Sequence, residues 1–401
     1  MQTDVFELPP EYEVIALVGQ GAYGAVCKAK RKVMVEDSPE PVDEEVAIKK
    51  IPHFNRTEDN ATKVLREMQI LSHFQSVQQI VACHHVFTRK EGESRDLYIV
   101  MDYVESDLSN IIKRGVIGNE DVIRFVVCQL LLGLKAMHAH QCIHRDLSTR
   151  NILIDGSTCQ LFICDFGLAR FYDPEEKMSF GVVTQWYRAP EIITDAQYST
   201  KVDIWAVGVI MAELFMQAHL FPGKPNDLAD QLKKILLTVG TPNWEWFANE
   251  DGAFHSASTN AKRYVESFIR HQSARRPVPP AADSGAFLEQ LRFKIAPSEE
   301  AKDLLKQLLN FNPATRLDAA TALKHPWFTN SPLKDFIDEE VKTHEAIPPF
   351  KGAMPKGIAN VCNAIDDHIA SMSSSGGPPP ATETGSASGT PPPQGSEEGK
   401  K

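Results

Sequence analysis

Two short runs, His144-Arg145-Asp146-Leu147-Ser148-Thr149-Arg150-Asn151 and Asp165-Phe166-Gly167, match a known motif pair of phosphoryl-transfer sites, H-R-D-L-x-x-x-N followed by D-F-G. In that chemistry a carboxylate receives or orients the proton of an acceptor hydroxyl, the role that falls to Asp146. Asn151 and Asp165 are then the oxygen ligands of the Mg²⁺ ions that bridge the nucleotide phosphates. The plain alternatives are a turn aspartate and helix-capping Asx residues. His144 reads as a structural hydrogen-bonding residue.

Upstream residues favour the chemical reading. Gly19-x-Gly21-x-x-Gly24-x-Val26 lies between two strand-like runs. A dinucleotide fingerprint should follow a strand and open a helix, whereas glycines between strands make a hairpin whose amides cover phosphates. In Val46-Ala47-Ile48-Lys49, period-two alternation puts small Ala47 and Lys49 on one face. A lysine there reaches the α and β phosphates when a helix glutamate holds it, and Glu67 is the natural partner. Each residue has an ordinary alternative, a solvated strand lysine or a surface carboxylate. Together they leave little room for coincidence.

The elements that must carry these residues can be read coarsely. Residues 13–18, 27–32, 46–51 and 97–101 have strand composition, and 36–45 reads as a solvated, Pro- and acid-rich hairpin loop. Residues 60–74 take helical spacing, with Val64, Leu65, Met68 and Leu71 on one side. From about Asp107 the pattern is mostly helical. A start is expected at Asn119, a helix buried all round over 202–215, and further helices over 298–310 and 319–324. After Ser371 the composition collapses to Ser, Gly and Pro, as in disordered tails.

Composition excludes several classes. A net charge of −11 argues against a general nucleic-acid binder. No uncharged apolar stretch approaches the roughly 18–20 residues that cross a bilayer, and the start lacks a basic, apolar leader pattern. The 7 cysteines form no C-x-x-C pair, which points to reduced thiols in cytoplasm or nucleus.

The chain resembles eukaryotic protein kinases over about residues 12–328, and among them the mitogen-activated protein kinases and their cyclin-dependent relatives. The resemblance rests on L-R-E-M-Q-I-L (65–71), I-C-D-F-G-L-A-R (163–170), V-V-T-Q-W-Y-R-A-P-E (182–191), L-F-P-G-K (220–224), F-N-P-A-T-R (311–316) and H-P-W-F (325–328). With Ala261-Lys262-Arg263-Tyr264 the last two lean toward the mitogen-activated group, and 65–71 lacks the cyclin-binding signature. The resemblance implies an α+β, bilobal fold with a small β-rich N-lobe (12–104) over a larger helical C-lobe (105–330). Residues 1–11 are then an N-terminal extension, 331–371 a C-terminal extension packing on the lobes, and 372–401 a disordered tail. ATP would lie in the cleft. Val18 would flank the base, and Val26, Ala47 and Leu153 would sandwich it. The hinge Asp102 to Val104 would hydrogen-bond adenine, Met101 would be gatekeeper, Asp107 would bind ribose and Cys164 would line the back. Glu191 would pair with Arg316, and Asp203 would brace the catalytic loop. Thr184 would contact the catalytic acid, and Arg188 would lie behind the pocket that favours Pro after the acceptor. The implied activity is transfer of the ATP γ-phosphate to Ser/Thr-Pro sites in protein substrates, by a monomer.

Two departures qualify this. Where relatives carry T-x-Y, this chain has Ser179-Phe180-Gly181. Arg66, Arg145 and Arg170 match the basic pocket for an activation-loop phosphate, so a phosphoserine at 179 and a loop needing no phosphate both stand. Ser148 replaces the usual lysine that steadies the transferring phosphate. Arg150 occupies the position where receptor tyrosine kinases carry an arginine, and could supply that charge. The competing reading is a low-activity, ATP-binding scaffold of pseudokinase type. Asp335, Asp338, Glu339 and Glu340 match an acidic docking groove for basic substrate or activator peptides, or are only solvated surface. An upstream kinase is the other implied partner, and 358–369 would fold back as a helix.

Overall fold

The computed structural model describes residues 6–21, 24–34, 41–172, 185–244, 247, 249, 252–272, 286–350 and 354–374. Five strands, β1 (Tyr12–Gly21), β2 (Gly24–Val33), β3 (Val42–Ile51), β4 (Cys83–Glu91) and β5 (Ser94–Asp102), form an antiparallel sheet in the order β1-β2-β3-β5-β4. Strict alternation sorts its side chains. Ala25, Cys27, Ala29, Val46 and Ile48 are buried on one face with Phe6, Tyr98 and Val100. Val26, Ala47 and Lys49 are only partly buried on the other, with Val26 opposite Lys49 and Ala47 opposite Met101.

Helix α1 (Glu58–His73) starts where the Thr57 side chain accepts from Asn60 N, and buries Val64, Leu65, Glu67, Met68 and Leu71. Below it the chain is helical: α2 (Leu108–Arg114), α3 (Glu120–Ala139), α4 (Pro190–Ile193), α5 (Lys201–Met216), α6 (Leu228–Thr238), α7 (Thr259–Gln272), α8 (Glu299–Leu308), α9 (Ala319–Ala322), α10 (Pro326–Thr329), α11 (Leu333–Glu345) and α12 (Ile358–Ser374). Short strands β6 (Ser106–Asp107), β7 (Cys142–Ile143), β8 (Ile152–Ile154), β9 (Leu161–Ile163) and β10 (Arg170–Phe171) form two small sheets, β6-β8-β9 and β10-β7. Asn119 caps α3 and Ser298 caps α8, each by a side-chain oxygen accepting a first-turn N–H. α5 is buried from Val202 to Phe215, each large apolar side chain contributing about 1.5–3 kcal/mol. Gly208 lets α5 approach α8: a Cβ there would meet Leu309 Cδ2 at 2.9 Å. α3 is long and apolar enough to cross a membrane, but it is a core helix, with 67% of its apolar window buried. All seven cysteines are free thiols.

Glu191 and Arg316 form the expected ion pair at 2.6 Å, both fully buried. Arg316 also donates to the carbonyls of Asn310, Lys201 and Phe311. Removing one partner of such a pair costs about 3–5 kcal/mol. The expected fold-back helix is α12, which lies along α1 and β4 and joins Asp366 to Arg95.

Four expectations need correction. Residues 42–45 belong to β3 rather than a loop, because Lys28, Lys30 and Arg31 on β2 pair with Glu45, Asp43 and Glu44 across the ladder. The helix at 319–324 is a single turn ending at Ala322, ahead of His325-Pro326, whose proline disfavours a helical predecessor. α12 continues to Ser374, past the boundary expected at 371. Asp335, Asp338 and Glu339 are exposed on α11 itself, but Glu340 is buried and accepts from Gln79 Nε2 at 2.9 Å, so it is no part of an open acidic surface.

His344, one turn beyond Glu340, is 6% exposed, and neither ring nitrogen has a hydrogen-bond partner among the described residues. Burial, helped by the Lys135 charge, pushes its pKa down to about 4. The unfolded chain therefore takes up a proton near pH 6.5 that the folded chain refuses, and stability falls as pH drops through the window from 6.5 to about 4. Denaturant titrations at pH 7 and pH 5 should show a loss that is smaller in His344→Gln than in the wild type by about 1–2 kcal/mol. The remainder comes from His73, His85, His140 and His368, whose pKa values burial also lowers. The same loss in the variant would mean that other groups carry it.

Candidate active site

The sheet and the helical lobe enclose a cleft of about 1080 Å³ that is lined in part by Lys49. Its Nζ lies 2.6 Å from Glu67 Oε1 and 3.0 Å from Asp165 Oδ1. Burial disfavours the charged ammonium, but the Asp165 and Glu67 carboxylates outweigh it and keep Lys49 protonated. Lys49 in turn holds Asp165 below the ordinary carboxylate range, whereas burial pushes Glu67 up. Three separate segments thus meet on one charge. Gly24 sits at φ +140°, and a Cβ there would meet Lys50 O at 1.9 Å. Only glycine lets the β1–β2 hairpin close over β3.

Asp146 and Asn151 are joined within the loop between β7 and β8. Asn151 Nδ2 donates to Asp146 O at 2.8 Å and to Asp146 Oδ2 at 3.1 Å. Burial raises the Asp146 pKa to about 6, opposed by the charges of His144 and Arg188. Asp165 has positive φ, with its carboxylate half exposed to the cleft. Asn151 and Asp165 offer the hard oxygen donors that suit Mg²⁺, which takes one or two protein carboxylates and completes its shell with phosphates and water.

The loop has its own brace. Asp203, 1% exposed, accepts from His144 N and Arg145 N at 2.9 Å each, and its Oδ2 lies 2.9 Å from His138 Nε2. Arg145 is thereby held at φ +70°. His144 Nε2 lies 3.0 Å from Cys164 O, the structural role expected of it.

The cavity lining joins Gly19, Gly21, Gly24, Val26, Lys49, Glu67, Asp146, Arg150, Asn151 and Asp165. Val18, Ala47, Met101, Asp102, Val104, Asp107, Leu153 and Cys164 do not line it. Val18 is 57% exposed on β1. Ala47 faces Met101, and Leu153 pairs with Asp107 across β6 and β8. Two of these carboxylates already have structural partners: Asp107 caps α2 through Asn110, and Asp102 accepts from Ala82 N with His84 Nε2 at 2.7 Å. Cys164 is kept a neutral thiol by burial.

Comparison with known sequences now decides the family. The protein kinase domain model matches residues 12–328. The chain belongs to the protein kinases. It is 37% identical over 370 residues to mitogen-activated protein kinase spk1 of Schizosaccharomyces pombe, covering 91% of this chain and 88% of that one. It is 38% identical over 353 residues to mitogen-activated protein kinase 13 of Mus musculus, covering 87% and 85%. It is 34% identical over 341 residues to mitogen-activated protein kinase 1 of Oryza sativa subsp. japonica, covering 84% and 77%. It is a mitogen-activated-protein-kinase-like serine/threonine kinase.

In this kinase Ser148 is nearly buried at 3% and Arg150 is exposed at the cleft. A small cavity behind the loop brings Arg188 and Arg145 together with Asp146 and Asp203. Arg145 donates to Leu168 O and packs over Tyr198. Burial, with the neighbouring Arg170 charge, lowers its pKa. Arg170 lies on β10, and Arg66 on α1 next to Glu67. Thr184 and Ser179 lie outside the described residues. Sequence reasoning missed the buried polar chain of Thr149, Tyr187 and Glu213, which ends at exposed His219; its members belong to separate segments, and nothing local links them. For the brace, Asp203→Ala should strip the acceptor from two amides, lowering stability by about 3 kcal/mol and kcat with it. Unchanged melting and kcat would show the loop holds its shape without Asp203.

Proposed function

We propose that this kinase carries the γ-phosphate of ATP, bound with Mg²⁺, to Ser or Thr residues followed by Pro. The reading is carried by the Lys49 ammonium, held 2.6 Å from Glu67 and 3.0 Å from Asp165. That arrangement pre-places a cation for the phosphates and a carboxylate for the metal, so little reorganisation is left for the reaction. Bound Mg²⁺ supplies charge neutralisation on the phosphates, with Asp165 and Asn151 as the side chains to hold it. Asp146 takes or orients the acceptor hydroxyl proton. Gly19, Gly21 and Gly24 cover the phosphates. Val26 lines the cleft beside the base, and the family resemblance, rather than the cavity lining, adds Val18, Ala47, Met101, Leu153 and Cys164 around it, with Asp102 to Val104 as hinge and Asp107 at the ribose. Thr184 contacts Asp146, and Arg188 backs the pocket for the following proline.

Arg150 supplies the charge that Ser148 does not. Its place at the cleft, beside the asparagine that orients Asp146, supports this. The lobe limits follow the sequence reading, with α12 extended to Ser374. Asp335, Asp338 and Glu339 form the docking acids for basic peptides of substrates or an upstream kinase. Seven free thiols suit a cytoplasmic or nuclear compartment.

Kinetics with Mg²⁺-ATP and a Ser-Pro peptide test the rewired contact. Arg150→Ala should lower kcat by roughly 10²-fold with little change in the KM for ATP. Ser148→Lys should change the wild-type rate by less than about tenfold. A gain of several orders of magnitude in Ser148→Lys would show that Arg150 does not compensate.

A further inference from the structure

A buried polar chain ties the catalytic loop to the segment that follows the activation loop, and no step above uses it. Thr149 is 2% exposed, and its Oγ1 lies 2.9 Å from Tyr187 Oη. Tyr187 Oη donates to Glu213 Oε2 at 2.8 Å. The other oxygen of Glu213 accepts from Leu220 N at 3.2 Å and lies 3.1 Å from His219 Nδ1. A carboxylate only accepts, so the single tyrosine proton points to Glu213 and the threonine hydroxyl must donate to Tyr187. The chain therefore runs in one direction, from Thr149 through Tyr187 to Glu213.

Both ends are anchored. The Thr149 carbonyl accepts from Ser109 N at 2.9 Å, fixing the loop against α2. Beside Tyr187, Trp186 Nε1 donates to Gly223 O at 2.8 Å, and Gln185 Nε2 donates to Lys224 O. Trp186 and His219, with Thr149, Ser148 and Arg150, line the same cleft as Asp146. Thr149 thus sits between the residue that lacks a cation and the residue proposed to supply one, and its side chain is bonded to the substrate side of the cleft.

We propose that Thr149 is a positioning residue for phosphoryl transfer: its hydroxyl locks the catalytic loop to the 185–187 platform, so that Asp146 and Arg150 face the acceptor that this platform presents. This rests on the phosphoryl-transfer reading of the site. The loss of one buried donor and a small displacement of the loop should register in turnover more than in nucleotide binding.

The test is steady-state peptide phosphorylation by the full chain carrying Thr149→Val, Thr149→Ser, Tyr187→Phe, or Thr149→Val with Tyr187→Phe. Thr149→Val should lower kcat by roughly tenfold while the KM for ATP stays within about twofold, and Thr149→Ser should restore kcat to within about twofold of wild type. The double variant should be no slower than the slower single variant, because both remove the same link. Should Thr149→Val not fold, Thr149→Cys, of similar size with a weaker donor, replaces it with the same expectations. Wild-type kcat in the Val or Cys variant, a Ser variant as slow as Val, or singles that multiply in the double variant would each overturn the role of Thr149. An inactive wild-type enzyme would overturn the transfer reading and this role together, which separates the two failures.

Discussion

The Lys49 ammonium is the constraint on which the site depends. It is presented by β3, gripped by Glu67 from α1, and shared with Asp165 from the loop after β9. A buried charge is costly unless it is paired and hydrogen-bonded. That requirement turns a single side chain into a coordinate that the sheet, the helix and the Asp165 loop must all satisfy. Small shifts of α1 or of the Asp165 loop would leave a buried charge unpaired, so the three segments are held in register by electrostatics as well as by packing.

The helical lobe applies the same rule to polar groups in the interior. Asp203 answers two loop amides, Arg316 answers Glu191 and three carbonyls, and Glu213 answers Tyr187 and Leu220. Each buried polar group fixes a loop that hydrophobic contact alone would leave free to slide. α5 supplies both kinds of support: its apolar residues make the centre of the lobe, and Asp203 and Glu213 on the same helix reach the catalytic loop and the substrate platform. One rigid helix thereby positions both sides of the reaction.

Much of this was legible in the sequence because the relevant patterns are local. Alternation put Ala47 and Lys49 on one face, and the apolar run over 202–215 gave a fully buried helix. Asn119 and Ser298 marked helix starts through capping chemistry. What could not be read depends on partners distant in the chain. Acidic residues 43–45 looked like a loop until Lys28, Lys30 and Arg31 appeared across the ladder. Glu340 looked solvated because only the docking of α11 decides which of its faces is buried. Thr149 stood at an unspecified position inside the 144–151 run, since Tyr187 and Glu213, the groups that give its hydroxyl a purpose, belong to other segments.

Ser148 is the residue most at odds with an active enzyme, yet the side chains we propose for nucleotide and metal are joined around the cleft, Lys49 to Glu67 and Asp165, and Asn151 to Asp146. The direct test is transfer of phosphate from Mg²⁺-ATP to a generic basic protein substrate, comparing wild type with Asp165→Ala. The expected result is measurable turnover by the wild type that falls to background in the variant. Equal, background-level signals from both would contradict it and mark the protein as an ATP-binding scaffold.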